Sequence, residues 1–238
     1  MLTLAFESSA KAASVAVFKQ IIRTTDSTYL PIGELLGQSF QNNGFSHSRT
    51  ILSMAESLLM NLEIKPADID LIAVANGPGS FTGVRIGVSA AKGLAWGLDI
   101  PIVGVSTLEA MARQARFDDT LICTVMDARR DQVYNALFVW RNTELIRLCD
   151  DRAISIDDLH KDLSRFSQLP MLVGDGVSVC RNHDGFADFP AAPELIRHQT
   201  AFGVAVAAMH AKPVPATELE PFYLRPSQAE RERNSKTT

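Results

Sequence analysis

Two carboxylates stand where a chain could use them for chemistry: Glu7 closes the apolar run "LTLAFE" and Asp127 closes "LICTVMD". A carboxylate at the end of a buried strand can ligate a divalent cation that carries a nucleotide, and can equally accept the N–H groups of the adjoining turn. Asp127 begins "DARRD" and reads as a turn cap, whereas Glu7, in "FESS", fits either use. A third candidate is "NGPGSFTGVR". A strand running into Gly77-Pro78-Gly79-Ser80 and then a helix leaves backbone N–H groups free at the helix start. There an anion would be stabilised, with Gly77, Gly79 and Ser80 as its contacts. The run is neither G-x-G-x-x-G nor a phosphate loop with a lysine after the second glycine, so the same residues fit a tight turn that brings a helix close to a sheet.

Other chemistries lack their residues. No two of the five histidines, His47, His160, His183, His198 and His210, lie three or four positions apart, so none forms a helical metal pair. His47, between Ser46 and Ser48, reads as a capping or solvent-facing residue. There is no G-x-S-x-G elbow, and none of Cys123, Cys149 and Cys180 has the local context of a catalytic thiol. No catalytic residue and no metal ligand is assigned.

The elements that must position these groups can be read from hydrophobic periodicity. "LTLAFESS" and "ASVAVF" read as two strands about a small-residue turn, and "LICTVMDARRDQVYNALFVW" repeats the pattern with Asp127 in the place of Glu7. The repeat predicts two α/β halves facing one another across a cleft, with lobes at 1–105 and 106–225 and a charged, disordered tail at 226–238. Between the repeated units, "HSRTILSMAESLLMNL" places Ile51, Leu52, Ala55, Leu58, Leu59 and Leu62 on one stripe of a helix over 48–62. A second helix runs over 82–97. Ser106 with Glu109 forms a capping box for a helix through Arg116, Ser155 caps another, and "TAFGVAVAAMHA" is a helix of the second half.

The helix over 82–97 carries three rows: Arg85, Ser89, Lys92 and Trp96; Gly83, Gly87, Ala90 and Leu94; and Val84, Val88, Ala91, Ala95 and Leu98. A surface helix needs one apolar face for its own core, so two imply a second covering, and the glycine row would admit another helix at close range. A helix sandwiched inside its own chain fits the same pattern.

Composition bounds the rest. With 238 residues, 46% hydrophobic and 21% charged, the chain can bury a sizeable core. A net charge of -4 argues against a broad basic surface, so weak, salt-dependent RNA binding is expected of the chain alone. Three well-separated cysteines, two of them in apolar runs, fit a reducing compartment. "MLTLAFESSA" has no basic leader, and no run approaches the roughly 18 apolar residues of a membrane span; the expectation is a cytoplasmic protein with no membrane contact.

"GPGSFTGVRIG", succeeded by "AKGLAWGLDIPIVGVSTLEAMA", with "MDARRDQVY" downstream and "EPFYLR" near the end, closely resembles the TsaB (YeaZ) family, the bacterial non-catalytic paralogues of the TsaD/Kae1 proteins. The resemblance runs from the first strand to about Arg225. It implies a two-lobed actin-like, sugar kinase and heat-shock ATPase-type (ribonuclease H-like) α/β fold, with mixed sheets flanked by helices. It also implies a scaffold role in threonylcarbamoylation of adenosine 37 in tRNAs that read codons beginning with A. The implied partners are TsaD, TsaE through the TsaB–TsaD pair, and a second copy when TsaD is absent, with tRNA reached only through the complex. ATP and metal belong to the partners, and no cofactor is the chain's own. The resemblance makes the two helices at 48–62 and 82–97 the pairing surface, with Ile51, Leu52, Ala55, Leu58 and Leu59 on one and Gly83, Gly87, Ala90 and Leu94 on the other.

TsaD carries two metal-binding histidines just after the strand that corresponds to "IPIVGV"; this chain has Thr107 and Met111 at those positions. Threonine and methionine do not replace imidazole toward a hard or borderline cation. Glu109 between them fits its capping role. Many members begin their first motif with Asp, where this chain has Glu7, and the segment from Ile21 to Gly44 is longer than usual for the family. The alternative reading is a free-standing enzyme of the same fold, a small-molecule kinase or a metalloprotease-like protein.

Overall fold

The computed structural model describes residues 1–25, 28–43, 47–117 and 119–225, with the backbone alone at 22–25 and 28–32. Its elements are β1 (Leu2–Glu7), β2 (Ala13–Thr25), β3 (Thr28–Gln41), α1 (His47–Asn61), β4 (Leu71–Gly77), α2 (Phe81–Leu98), β5 (Ile102–Ser106), α3 (Thr107–Gln114), β6 (Leu121–Asp127), β7 (Gln132–Arg141), β8 (Glu144–Arg147), β9 (Arg152–Ser155), α4 (Ile156–Leu163), β10 (Met171–Val173), α5 (Val177–Arg181), α6 (Glu194–Arg197) and α7 (Ala201–Ala208). Four helices start where a hydroxyl can take an orphan N–H. Ser80, Ser106, Ser155 and Thr200 accept from the N–H three residues on, at the heads of α2, α3, α4 and α7. The capping box at Ser106 is only half made. The Glu109 carboxylate turns away from the cap to Arg113 (2.8 Å) and Arg147 (3.0 Å), because two guanidiniums offer it more than one backbone N–H does.

Two mixed sheets form the frame. The first has the order β3-β2-β1-β4-β5, and the second β10-β6-β7-β8 with β9 also on β7. In each, an antiparallel hairpin (β1–β2, β6–β7) gains a parallel strand on the far edge of its first member (β4 on β1, β10 on β6). This is the duplication read from the two strand-turn-strand runs, and it gives the two-lobed α/β fold with helices flanking mixed sheets. The long segment from Ile21 belongs mostly to the β2–β3 hairpin, which runs on past the last β1 partner, Lys19, as a two-stranded ribbon; Gly44 lies outside the described residues.

Alternation decides which face goes where. Leu4, Phe6, Val15 and Val17 pack under Ile51 and Leu58 of α1 and Val84 and Val88 of α2. Ala5, Ala16, Phe18 and Ala73, on the opposite face, pack under Val204 and Ala208 of α7. In the second sheet Val125, Val133 and Leu137 meet Ile156 and Leu159 of α4, while Ile122, Ala136 and Phe138 meet Leu108 and Met111 of α3.

The packing departs from the expected division at 105/106. α7 and the segment after it belong with the first sheet. Gly203 is the reason α7 can lie so near α3, since a Cβ there would collide with the Ala110 carbonyl. Beyond α7, Val214 bridges Ile102, Leu219 enters the first core, and the Phe222 N–H donates to the Asn76 carbonyl at 2.7 Å. Arg225 then reaches the second lobe and donates to the Ala128 carbonyl at 2.9 Å. The C-terminal strap therefore ties the lobes together. The tail assigned to 226–238 lies outside the described residues.

Candidate functional site

The two strand-end carboxylates both cap their own turns. Glu7 Oε1 accepts from the Ser9 N–H (2.6 Å) and the Ser9 hydroxyl (2.5 Å), and Asp127 Oδ1 accepts from the Arg129 N–H at 2.7 Å. Their surroundings differ. Glu7 is fully buried, its Oε2 has no partner, and burial pushes its carboxyl up to about 7; the Ser9 bonds oppose that rise and the nearby Asp175 adds to it. Asp127 is at the surface of the interlobe cleft, next to a turn in which Arg129, Arg130 and Asp131 all take positive φ. Asp175 also lines this cleft. Burial raises its carboxyl, although the Gln199 amide donates to it at 2.7 Å.

The cleft has a volume of about 650 Å³. Its lining includes the acids Asp127 and Asp175, the aromatic Phe81, Tyr134, Phe222 and Tyr223, and the basic Lys11, Arg129 and Arg225. Gly79 and Ser80 line it, but the turn they form is filled by the chain itself. The Ser80 N–H donates to the Ser9 carbonyl at 2.6 Å, and a Cβ at Gly79 would run into Ser9. Gly77, at φ +130, is glycine both for that backbone and because a side chain would strike the Phe222 carbonyl. The three residues expected to contact an anion are thus shaped by contacts within the chain.

The residues expected on the pairing surface divide sharply. Ile51, Ala55, Leu58 and Leu59 are core residues of the first lobe, and of that group only Leu52 faces outward. On α2, Gly83 and Gly87 are buried, and their glycines make room for the chain's own Ser8: a Cβ on Gly83 would collide with the Ser8 carbonyl, and one on Gly87 with the Ser8 hydroxyl. Ala90 and Leu94 are partly buried against the same core. The close neighbour inferred from the glycine row is therefore the turn after β1, which corrects the expected placement.

A different row on α2 is open. Gly93 and Gly97 have nothing within 4 Å of where a Cβ would stand, and Trp96 between them is 79% exposed. On the same side of the sheet, α1 presents Met60 at 71% and Leu52 at 49%. A glycine in an exposed helix interior, as Gly93 is, costs up to about 1 kcal/mol relative to alanine, and Gly97, next to the last residue of α2, costs less. Nothing in the chain's own packing requires them. Periodicity alone could not have separated the 83/87 pair from the 93/97 pair, because both are glycines four apart on one helix; only the position of the Ser8 turn distinguishes them.

Thr107 and Met111 are fully enclosed. Met111 packs in the core between α3 and the second sheet, with its sulfur beside Gly174. Among the described residues no group of three or more His, Cys, Asp or Glu side chains has the arrangement to hold a metal ion, and no helix is long and apolar enough to cross a membrane.

A family model described as TsaD, tRNA N6-adenosine threonylcarbamoyltransferase, matches residues 42–211. The chain is 30% identical over 234 residues to the tRNA threonylcarbamoyladenosine biosynthesis protein TsaB of Escherichia coli (strain K12), covering 90% of this chain and 94% of that one. It is 41% identical over 134 residues to the protein of the same name from Bacillus subtilis (strain 168), a match that spans 56% of this chain and 58% of the relative. A crystal structure of an uncharacterized protein with similarity to peptidase YEAZ, from Pseudomonas aeruginosa, superposes with a TM-score of 0.73 at 23% identity, covering 94% of this chain and 99% of the other, a likeness of fold.

Proposed function

The chain belongs to the TsaB (YeaZ) family of tRNA threonylcarbamoyladenosine biosynthesis proteins, and from that membership we propose that it is a non-catalytic scaffold subunit in the threonylcarbamoylation of tRNA. On this reading it binds the catalytic subunit TsaD, engages TsaE through that pair, and meets tRNA only within the complex. Alone it pairs with a second copy. The observation that carries the reading is the open face of α1 and α2, where Gly93 and Gly97 leave room for a closely approaching helix and Trp96, Met60 and Leu52 offer apolar area to bury. A non-catalytic role is supported by the packing of Thr107 and Met111, which serve as core residues where TsaD carries histidines.

Gly93→Arg and Trp96→Asp place a charge on the open face without touching the core. We expect both to melt near the wild-type temperature, allowing for lost self-association, while TsaD capture and the homodimer are lost. Retention of TsaD by both folded variants would sink the assignment of this face. Gly87→Arg is no probe of pairing, because it drives a side chain into Ser8 and breaks the fold first.

A further inference from the structure

The C-terminal strap is rooted in the first lobe. Val214 exchanges both backbone hydrogen bonds with Ile102, Leu219 enters the core, and Gly104 is glycine where a Cβ would meet the Leu219 side chain. Asn76, in β4, then takes the strap twice: its side-chain amide donates to the Glu220 carbonyl at 3.1 Å, and its backbone carbonyl accepts the Phe222 N–H at 2.7 Å. Beyond Phe222 the mode of attachment changes. Among the described residues, Tyr223 and Arg225 are held through their side chains, with no backbone pairing.

Those two side chains grip different lobes. The Tyr223 ring stacks on Phe81, the first residue of α2, with centroids 4.8 Å apart, and its hydroxyl accepts from the Arg85 Nε–H at 2.9 Å. The Arg85 guanidinium lies 3.9 Å from the Phe81 centroid, so helix and strap share one stack. Two turns further along α2, Lys92 donates to the Leu219 carbonyl at 2.7 Å. Arg225, by contrast, donates to the Ala128 carbonyl in the turn after β6, at 2.9 Å. Two residues of extended chain span no more than about 7 Å, so lobes that part by more than the slack of two side chains must break one grip. Each grip also keeps the other's partner close at hand, and its loss lowers that effective concentration. Phe222 and Tyr223 are 44% and 36% exposed and, with Arg225, line the interlobe cleft; undocking this end uncovers little apolar area.

We propose that residues 223–225 are a clasp that couples the interlobe cleft to the head of α2, the grip of Tyr223 on Phe81 and Arg85 and the grip of Arg225 on Ala128 each reinforcing the other. The inference concerns the chain alone and does not rest on the scaffold reading.

The test is amide hydrogen exchange of the full chain, read residue by residue. Arg225→Ala removes the grip on the second lobe. Exchange at Gly83 and Val84, held by Ser80 at the head of α2 and out of Arg225's contacts, should speed up by roughly threefold or more. Tyr223→Phe removes only the hydroxyl bonded to Arg85, and exchange at Ala128 and Arg129, in the turn of the other lobe, should speed up by a similar factor. Amides of β6 and of Ala91 and Ala95 in α2 should stay within about twofold of wild type in both variants. Arg225→Gln is read beside Arg225→Ala, so that a folding defect peculiar to one substitution does not decide the result. The proposal is overturned if either remote site fails to respond, and equally if the control amides speed up as much as the probed ones, since the strap would then be part of the global fold and no clasp.

Discussion

Replacing Glu7 by glutamine should change how stability depends on pH, and the size of the change is set by where Glu7 sits. Its Oε1 is occupied by Ser9, its Oε2 is enclosed without a partner, and its carboxyl is pushed from the ordinary 4.5 up to about 7, first by burial. The folded chain therefore keeps a proton that the unfolded chain releases between those values. Glu7's contribution to stability is fully present below 4.5, is lost as pH rises toward about 7, and is gone above it. Glutamine keeps an oxygen for the Ser9 N–H and hydroxyl but has no proton to lose. Measured by urea unfolding, the stability of Glu7→Gln relative to wild type should rise by about 2.5 kcal/mol between pH 5 and pH 8, most of it below pH 7. Asp175 is raised in the same direction and is present in both proteins, so the difference between the two curves is the quantity to read. Parallel curves would mean that Glu7 is ionised or hydrated in the folded state, and the account of a buried, proton-holding turn would fail.

The same packing sets two further outcomes. Gly83→Ala should cost roughly 1–3 kcal/mol in chemical unfolding, because its methyl meets the Ser8 carbonyl, while Gly97→Ala should stabilise the isolated monomer by up to about 1 kcal/mol, since nothing stands near its methyl. With Ellman's reagent at pH 8, half-buried Cys149 should react first and Cys123 and Cys180 only on unfolding, because burial pushes the Cys180 thiol up to about 12 and Cys123 well above its ordinary range.

The frame of the molecule was legible because it rests on local signals. Apolar runs ending at Glu7 and Asp127 marked both hairpins, and Ser106 and Ser155 announced α3 and α4. The long-range contacts escaped. α7 reads as part of the second half because it comes after β10 in the chain, yet its small apolar surface lets it lie under the first sheet against α3. "EPFYLR" reads only as a motif until Phe222 is found on Asn76 and Arg225 on Ala128. The stripe on α1 shows the same limit, since Ile51, Ala55, Leu58 and Leu59 announce burial without saying whether the chain's own core or another protein supplies it. Which positions the chain's own core fills, and which stay open as Gly93 and Gly97 do, depends on that packing and is not written in the sequence.

The duplication makes the remaining contrast instructive. Glu7 and Asp127 end equivalent strands and cap equivalent turns, yet one is sealed and the other open. The difference lies in the segment packed over each hairpin turn. After β1, the head of α2 closes over the turn through Ser80, Gly79, Gly83 and Gly87, so the Glu7 carboxyl is shut beneath it. After β6, the turn is held outward by Arg129, Arg130 and Asp131 in left-handed backbone, and Asp127 stays at the cleft. A pair of strand-end carboxylates that could have shared a cation across the cleft is thereby split, with Glu7 buried under the head of α2, its carboxyl pushed up to about 7, and Asp127 left at the cleft. Across the two lobes, then, Glu7 is spent on seating α2, and the carboxylates that line the cleft, Asp127 and Asp175, both belong to the second lobe.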